Sequence, residues 1–559
     1  MGRPDKIKPR SVGPSRRDFF KRSGSAAVAL AATPLLPGAA AAAAGPFQHG
    51  VASGDPLAER VILWTRVTPA SAGKAGVAVK VLVATDPALT QVVASTTVRT
   101  AAARDWTVKV DASGLEPATT YYYRFEAEGQ SSPVGRTRTL PRGDASRLRM
   151  AVVSCSNHAY GYFNAYRRVA ERADLDLVVH LGDYLYEYGD GQYGNARATE
   201  PVTEIVTLAD YRTRHAQYKR DADLQEVHRQ HPMVAIWDDH EVANDAYKDG
   251  AENHTEGAEG SWTDRRRAGL QAYYEWMPIR ELHPLDNVRQ NRSLRFGNLA
   301  ELVMLEERHS GRSQQLPATT PVPGLGNVFF QTGAFADTTR SLLGETQEQW
   351  LAQKLRSTRA RWKILGQGVM FAQLKGVAAA NAAGGGAFLN PDQWDGYQPA
   401  RDRLYAVLKG EDGQAPVANV VVLTGDIHTS WAADLTQDPN NPDVATGGYN
   451  PATGEGSRAV EFVGTSVTSP GIPDPGNATA NFLHSINPHF KYIDLNRRGY
   501  MLVDADAERV VCEWWYVDTV ASVSNVQTFG TAFEVRHGSA RLLPSAQTAP
   551  RSNPPPLAP

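Results

Sequence analysis

Cysteine is almost absent from this sequence, since only Cys155 and Cys512 occur among 559 residues. Two cysteines allow one disulfide at most, which excludes a fold held together by a disulfide framework. The formal net charge is only −2, so no overall positive field favours nucleic acid as a partner. Long apolar runs are missing too, because no segment after residue 44 approaches the ~20 apolar residues of a membrane span. These absences predict a soluble globular protein that has no transmembrane anchor and requires no nucleic acid.

The N-terminal segment has the order of an export signal. A basic stretch contains the twin-arginine pair Arg16-Arg17, which two phenylalanines follow closely. A weakly apolar run at 26–36 and an alanine-rich stretch at 39–44 come next, as in a signal peptide of the Tat type. A membrane anchor is the alternative, but two prolines and the mild hydrophobicity of alanine disfavour it. We predict a Tat-type signal peptide at 1–44, the Tat export machinery as a partner, and a secreted, extracytoplasmic protein.

Residues 45–142 alternate apolar and polar positions over short distances, as β-strands do. Valines stand at every second position from Val77 to Val83. The sequence at 115–121 is typical of the tyrosine corner of immunoglobulin-like and fibronectin-like sandwiches, in which a tyrosine hydroxyl ties down a loop. We therefore predict a small N-terminal β-sandwich domain over residues 45–142.

After a short linker, the pattern changes to continuous apolar runs separated by helical segments. The runs lie at 150–155, 177–183, 234–239, 301–305, 362–366, 420–426, 459–464 and 500–504. Apolar strands that alternate with helices favour a mixed α/β architecture whose sheets are covered on both faces. We predict a catalytic domain over residues 146–540 and a disordered, proline-rich tail at 541–559.

Four groups of polar residues stand where apolar runs end. They are Cys155 with Asn157 and His158, Gly182-Asp183-Tyr184-Leu185-Tyr186, Asp238-Asp239-His240-Glu241, and Gly425-Asp426-Ile427-His428. Polar side chains at strand ends meet at one edge of an α/β sheet, where active sites form. An aspartate after a glycine is, taken singly, more often part of a turn or a helix cap. The functional prediction therefore depends on the order and the joint content of the four groups.

Together, the four groups resemble the metallophosphoesterase superfamily. Residues 182–186 match the GDxxY motif of its purple-acid-phosphatase branch, 238–241 (DDHE) stand in place of GNHE, and 425–428 (GDIH) in place of GHxH. Cys155 in place of the first aspartate, and HGVASGDP at 49–56, are similar to the PhoD-like alkaline phosphatases. The resemblance implies an α/β metallophosphoesterase-type sandwich of mixed sheets flanked by helices, preceded by a small immunoglobulin- or fibronectin-like β-sandwich.

The resemblance also implies a two-metal centre. Its six predicted metal ligands are Cys155, Asp183, Tyr186, Asp239, Asp426 and His428. The first metal would take the thiolate, the phenolate, the imidazole and the carboxylate of Asp183, a strongly donating set that suits Fe3+. The second metal would share Asp183 and add the other two aspartates, an all-oxygen set that favours calcium, magnesium or manganese. The family's choice is Ca2+. A disulfide between the two cysteines is the competing hypothesis for Cys155.

Residues next to the predicted ligands take supporting roles in this hypothesis. His240 follows a ligand and is expected to protonate the leaving oxygen as a general acid, with the alternative that it only orients a carboxylate. Asp238 and Glu241 are predicted to be partners of ligands. Arg308 stands where the family has an arginine, but the two glutamates before it depart from the family pattern. Phosphate binding and a salt bridge with a neighbouring glutamate are both open for Arg308.

The leading hypothesis is a secreted phosphoesterase that hydrolyses phosphate monoesters and diesters by metal-activated hydroxide. A phospholipase D-type phosphodiesterase, with a phospholipid as substrate, is the alternative on the same scaffold. Loops such as 189–203 and 381–395 would decide between these substrates. A binding protein built on a degenerate phosphoesterase domain is disfavoured, because every ligand of the branch is present.

Overall fold

The computed structural model describes residues 45–71, 73–282, 288–411 and 413–559. The predicted signal peptide at 1–44 lies outside the described residues. None of the helices in the described ranges combines the length and the apolar character that a membrane crossing requires.

One sheet has ten strands and contains segments from both ends of the described chain. In spatial order it consists of β26 (Leu542–Pro544), β25 (Gln527–Arg536), β24 (Arg509–Val517), β23 (Arg498–Ala505), β9 (Leu148–Val153), β10 (Leu177–Leu181), β11 (Pro232–Ile236), β1 (Val51–Gly54), β2 (Arg60–Arg66) and β5 (Thr107–Ser113). Strands β9, β10 and β11 are parallel to one another. Their carboxyl ends therefore lie at the same edge of the sheet.

A second sheet of seven strands packs face to face on the first. Its order is β12 (Arg292–Phe296), β13 (Ala300–Met304), β16 (Trp362–Gln367), β19 (Val420–Thr424), β21 (Ala459–Val463), β20 (Ser430–Leu435) and β22 (Phe490–Asp494). Strands β13, β16, β19 and β21 are parallel. Buried side chains of both sheets, such as Val179 and Ile364, share one apolar cluster. The predicted apolar runs correspond to strands of these two sheets, and both faces of each of those strands are covered.

Helices cover the two outer faces. On the first sheet lie α1 (Asn164–Ala170), α2 (Leu208–Lys219), α3 (Ala222–Gln230) and α4 (Trp262–Trp276), and on the second lie α5 (Glu345–Ser357), α6 (Gln398–Lys409) and α7 (Ala478–Ile486). Local sequence fixes where some of them begin. Thr207 and Asp210 form a capping box at the start of α2, and Asp221 caps α3. The predicted layered α/β fold is confirmed.

The predicted N-terminal sandwich is also present. Its outer sheet consists of β4 (Val92–Thr100), β3 (Val77–Ala84), β6 (Thr120–Ala127) and β7 (Gln130–Ser131), with β8 (Gly135–Arg138) beside β6. The backbone N–H of Glu116 donates to the Tyr121 hydroxyl at 2.8 Å, which is the expected tyrosine corner. The inner sheet, β1, β2 and β5, continues the ten-stranded sheet because β1 pairs with β11. The sandwich and the α/β layers thus share a sheet.

Two hairpins, β14 (Thr320–Val322) with β15 (Gly326–Val328) and β17 (Lys375–Ala378) with β18 (Gly386–Phe388), complete the strands described.

The predicted disorder of residues 541–559 is wrong. After β26, this segment lies against the first sheet and the N-terminal sandwich. Its backbone carbonyls accept hydrogen bonds from arginines: Ala549 from Arg149 at 3.0 Å and Pro555 from Arg136 at 3.4 Å. Proline has no N–H, but its carbonyl remains a strong acceptor. Buried guanidinium donors therefore order a segment whose composition alone indicates disorder.

Candidate metal centre

The predicted ligands follow strands whose carboxyl ends meet at one edge of the two packed sheets. Cys155 follows β9, Asp183 follows β10, Asp239 follows β11, and Asp426 and His428 follow β19. The backbone N–H of Cys155 donates to the carbonyl of the residue before Asp183 at 3.1 Å, which ties the ends of β9 and β10 together. The sheet topology therefore collects residues that are far apart in the sequence.

Four of the predicted ligands have a left-handed backbone. The φ angles are 60° at Cys155, 55° at Asp183, 62° at Asp426 and 61° at His428. Residues other than glycine pay about 1–3 kcal/mol for such sparsely populated conformations, which cluster at functional sites. The sharp turns direct these side chains into the space between the strand ends.

Two glycines allow the strand ends to approach each other. Gly182 has φ 98°, and a Cβ there would lie 2.4 Å from the Cβ of Asp238. A Cβ at Gly425 would lie 2.8 Å from the Cβ of Ser154. A side chain at either position would separate the groups that carry the predicted ligands.

The first predicted ligand set is brought together. Donor atoms of Cys155, Asp183 and His428 lie within 4.8 Å of one another, and all three residues are buried. The Tyr186 hydroxyl donates to Asp183 Oδ2 at 3.0 Å and lies 3.2 Å from His428 Nε2. The His428 Nδ1–H donates to the Pro470 carbonyl at 2.9 Å. That bond leaves the Nε2 lone pair for the cluster, as in most metal-binding histidines.

The second predicted set is brought together in two overlapping groups. Asp183, Asp239 and His240 form one group of potential donor atoms within 4.8 Å, and Asp238, Asp239 and Asp426 form the other. All of these residues are buried. Asp239 is oriented by the backbone, because its Oδ1 accepts from the N–H of His240 at 3.0 Å and its Oδ2 from that of Asp245 at 2.7 Å.

The electrostatics of the cluster fit a bound cation. Asp183 Oδ1 is buried and accepts no hydrogen bond, a costly state for a carboxylate oxygen. Burial raises the pKa of Asp183 well above its usual value, with the nearby Asp239 and Asp426 acting in the same direction. Burial, together with the charge of Asp183, likewise raises the pKa of the Cys155 thiol and of the Tyr186 phenol. A metal ion would offset this repulsion and hold all three groups as anions.

His240 is oriented by Glu187. Its Nδ1 lies 2.7 Å from Glu187 Oε2, and its ring centroid lies 4.1 Å from that of Tyr186. Burial lowers the pKa of His240, but the carboxylates of Glu187, Asp239 and Asp183 outweigh burial and raise it well above the usual value. The carboxylates therefore favour the protonated imidazole, and its Nε2 is not used by Glu187.

Glu241 supports the backbone of the site. Its carboxylate accepts hydrogen bonds from the backbone N–H groups of Asp183 at 3.2 Å, Tyr184 at 2.6 Å and Asp238 at 2.9 Å. These bonds connect the ends of β10 and β11. Its oxygens are thus directed at backbone donors of the two ligand-bearing turns.

The salt bridge considered between Arg308 and a neighbouring glutamate does not form. Glu306 accepts from the Trp237 indole at 2.9 Å, and Glu307 accepts from the Trp394 indole at 3.1 Å. Arg308 instead pairs with aspartates, among them Asp238 at 2.5 Å. The sequence favoured the adjacent glutamates, but both are held by tryptophans, and the arginine contacts aspartates from distant segments.

The disulfide considered for the two cysteines does not form either. Cys155 and Cys512 are both buried, and neither is bonded to another cysteine. Cys512 lies within β24, in the apolar cluster between the sheets.

Three residues of the site were missed by the sequence analysis. Glu187 orients His240, Asp392 accepts from Arg308 at 3.0 Å, and the Ser469 hydroxyl donates to the Tyr186 hydroxyl at 2.7 Å. Glu187 directly follows the GDxxY motif, so its position offered a signal. Asp392 and Ser469 lie in loops with no motif, and only the fold brings them to the site.

Comparisons with known proteins agree with this geometry. The family model of the PhoD-like phosphatase matches residues 150–514, and that of the PhoD-like phosphatase N-terminal domain matches residues 30–141. Alkaline phosphatase D of Bacillus subtilis (strain 168) is 38% identical over 470 residues, which is 82% of this chain and 75% of that protein. A solved structure of PhoD matches with a TM-score of 0.80 at 34% identity, over 92% of this chain and 95% of that one.

Proposed function

Because the chain belongs to the PhoD-like phosphatase family and is a phosphoric ester hydrolase of that family, we propose that it cleaves phosphate monoesters and diesters at the centre formed by its six predicted ligands. The observation that carries this proposal is the convergence of Cys155, Asp183, Tyr186 and His428 on one buried point. Burying these four polar groups together is unfavourable without a compensating charge, and a metal ion would supply one.

We propose Fe3+ for the first metal position. Thiolate and phenolate are strongly donating anions, and with carboxylate and imidazole they suit a trivalent ion. The hydrogen bond from His428 Nδ1 to a backbone carbonyl fixes the imidazole tautomer that a metal requires.

Ca2+ is proposed for the second position, with Asp183 shared and Asp239 and Asp426 as its further ligands. This set contains only carboxylate oxygens, which calcium and magnesium prefer. Calcium also tolerates irregular geometry better than magnesium does.

In the proposed reaction, side chains of the protein protonate the leaving oxygen and hold the metals in place. When bound, a pair of metal ions supplies a hydroxide nucleophile near neutral pH and stabilises charge on the phosphate oxygens. His240 is proposed to donate the proton of Nε2 to the leaving oxygen, since Glu187 holds its other ring nitrogen at 2.7 Å. Asp183, as the proposed shared ligand, would hold both metals.

The proposed location is extracytoplasmic. The twin-arginine segment at 1–44 supports Tat-dependent export, a route that carries proteins already folded. Fractionation of cells with wild-type protein and with Arg16→Lys/Arg17→Lys tests this: the variant should stay inside the cell. Secretion of the double variant at the wild-type level would contradict it.

A matched pair of substrates tests the activity. Para-nitrophenyl phosphate and bis(para-nitrophenyl) phosphate share a leaving group, so their rates compare monoester with diester hydrolysis directly. We expect turnover of both by the wild type, and loss of at least about a hundredfold in Asp183→Asn, because a neutral amide cannot bridge two cations. Asp86→Asn is the control, since Asp86 caps an exposed turn of the N-terminal sandwich. Hydrolysis by Asp183→Asn at the wild-type rate would contradict the proposal.

A further inference from the structure

One cluster of three aspartates at the site lies next to a buried arginine. Asp238, Asp239 and Asp426 are buried, with potential ligand oxygens within 4.8 Å of one another. Three carboxylates at that separation repel one another and require a cation nearby. In isolation the group would suggest a further metal position.

The guanidinium of Arg308 lies at this group. Its Nη2 is 2.9 Å from Asp238 Oδ2, 3.3 Å from Asp426 Oδ1 and 3.7 Å from Asp239 Oδ2. A single nitrogen of Arg308 thus contacts all three aspartates.

The remaining donors of Arg308 are also directed at carboxylates. Nε donates to Asp238 Oδ1 at 2.5 Å, and Nη1 contacts both oxygens of Asp392 at 3.0 Å. A guanidinium has five N–H donors on its three nitrogens, and here each nitrogen faces an aspartate. Arg308 is fully buried, and these contacts engage every one of its three nitrogens.

Asp392, which is not a predicted metal ligand, is itself held in place by other residues. It accepts from Arg312 Nη2 at 2.6 Å and from the Gln315 amide at 2.8 Å. Arg308 is therefore held between an anchor, Asp392, and two predicted ligands of the second metal, Asp239 and Asp426.

We propose that Arg308 is the resident cation of the Asp238–Asp239–Asp426 group and positions Asp239 and Asp426 for the second metal, in place of binding the substrate phosphate. The inference rests on the proposed function, because it assigns a role at the same centre. A guanidinium is always charged and planar, so it fixes carboxylate oxygens in two directions at once, which a lysine ammonium does not.

Arg308→Lys separates the two roles. Calcium is removed with EGTA, and Ca2+ is titrated back while thermal unfolding and para-nitrophenyl phosphate hydrolysis are followed on the same samples. We expect the calcium concentration at half-maximal stabilisation to rise about tenfold or more, as happens when an orienting partner of a metal ligand is lost. At saturating Ca2+, KM and inhibition by inorganic phosphate should change by less than about threefold, since no substrate contact is lost.

Arg401→Lys is the matched control. Arg401 is also a buried arginine paired with an aspartate, Asp395, at 2.5 Å, but it contacts none of the predicted ligands. Its calcium midpoint should equal that of the wild type.

Asp392→Asn is the second test variant, because it loosens Arg308 without removing its charge. Should Arg308→Lys fail to fold, the same shift of the calcium midpoint is required of Asp392→Asn.

The outcomes decide between the roles. An unchanged calcium midpoint in the folded variant, with a raised KM and weaker inhibition by phosphate, would overturn the inference and make Arg308 a substrate ligand. The wild type tests the proposed function separately. If Ca2+ neither stabilises nor activates the wild type, the proposed second metal is wrong, and the inference that rests on it falls too.

Discussion

Replacing Glu187 by glutamine tests how the site controls its proposed proton donor. In the wild type, Glu187 Oε2 lies 2.7 Å from His240 Nδ1, and Oε1 accepts from the Asn244 N–H and the Asn253 amide, each at 2.8 Å. Glutamine has nearly the same shape and retains one oxygen for the two asparagine donors. Its NH2 group would then face the Nδ1–H of His240, so the bond that orients the protonated imidazole is lost.

The size of the effect follows from this bond. A hydrogen bond to a charged group contributes about 1.5–3 kcal/mol, and Glu187 is fully buried, so solvent does not weaken it. Since about 1.4 kcal/mol corresponds to a tenfold change in rate, Glu187→Gln should slow steps that need the protonated imidazole by about 10–100-fold. General acid catalysis contributes about 10²–10⁴-fold, so a residual activity should remain.

Leaving groups of different basicity provide the assay. Para-nitrophenolate leaves readily without a proton, whereas an alkoxide needs one. We expect kcat for glycerol phosphate to fall by about 10–100-fold in Glu187→Gln and that for para-nitrophenyl phosphate by less than about threefold. His240→Asn should show the same selectivity, and Glu252→Gln, in the neighbouring loop, should show none. Equal losses on both substrates would refute the orienting role of Glu187 and leave it a purely structural one.

Three further predictions concern the metal site and the C-terminal segment. Cys155→Ser should remove a visible charge-transfer band and most of the activity, because a hydroxyl donates far less to iron than a thiolate; an unchanged absorption spectrum would exclude Cys155 as a ligand. Gly182→Ala should lower both metal content and thermal stability, since the added Cβ would lie 2.4 Å from that of Asp238; normal metal content would contradict this. Deletion of residues 546–559 should lower Tm without changing kcat, because it removes hydrogen bonds to Arg136 in β8 and to Arg149 at the start of β9, not at the carboxyl ends that carry the predicted ligands; an unchanged Tm would show that the segment contributes nothing.

The strands that carry the two-layered core were predictable because each is a short, mainly apolar run. The runs at 150–155, 177–183 and 420–426 contain β9, β10 and β19, and the last residue of each run is a predicted ligand. In parallel sheets covered on both faces, burial dictates such runs. The positions of the predicted ligands could be anticipated for the same reason, because strand ends are visible in the sequence.

Other features depended on contacts between distant segments. Residues 541–559 adopt a defined structure because they bind arginines that lie about four hundred positions earlier in the chain. Composition does not reveal such partners. The role of Arg308 likewise depends on Asp238 and Asp392, which are 70 and 84 positions away. The shared sheet depends on pairing of β1 with β11. Tertiary pairing of this kind leaves no local pattern.

Elemental analysis, combined with hydrolysis of para-nitrophenyl phosphate by the same sample before and after EGTA, tests the two-metal centre most directly. We expect one iron per chain that survives chelation, and calcium that is lost together with activity and restored with it. Full hydrolysis by protein that contains neither iron nor calcium would contradict the proposed centre.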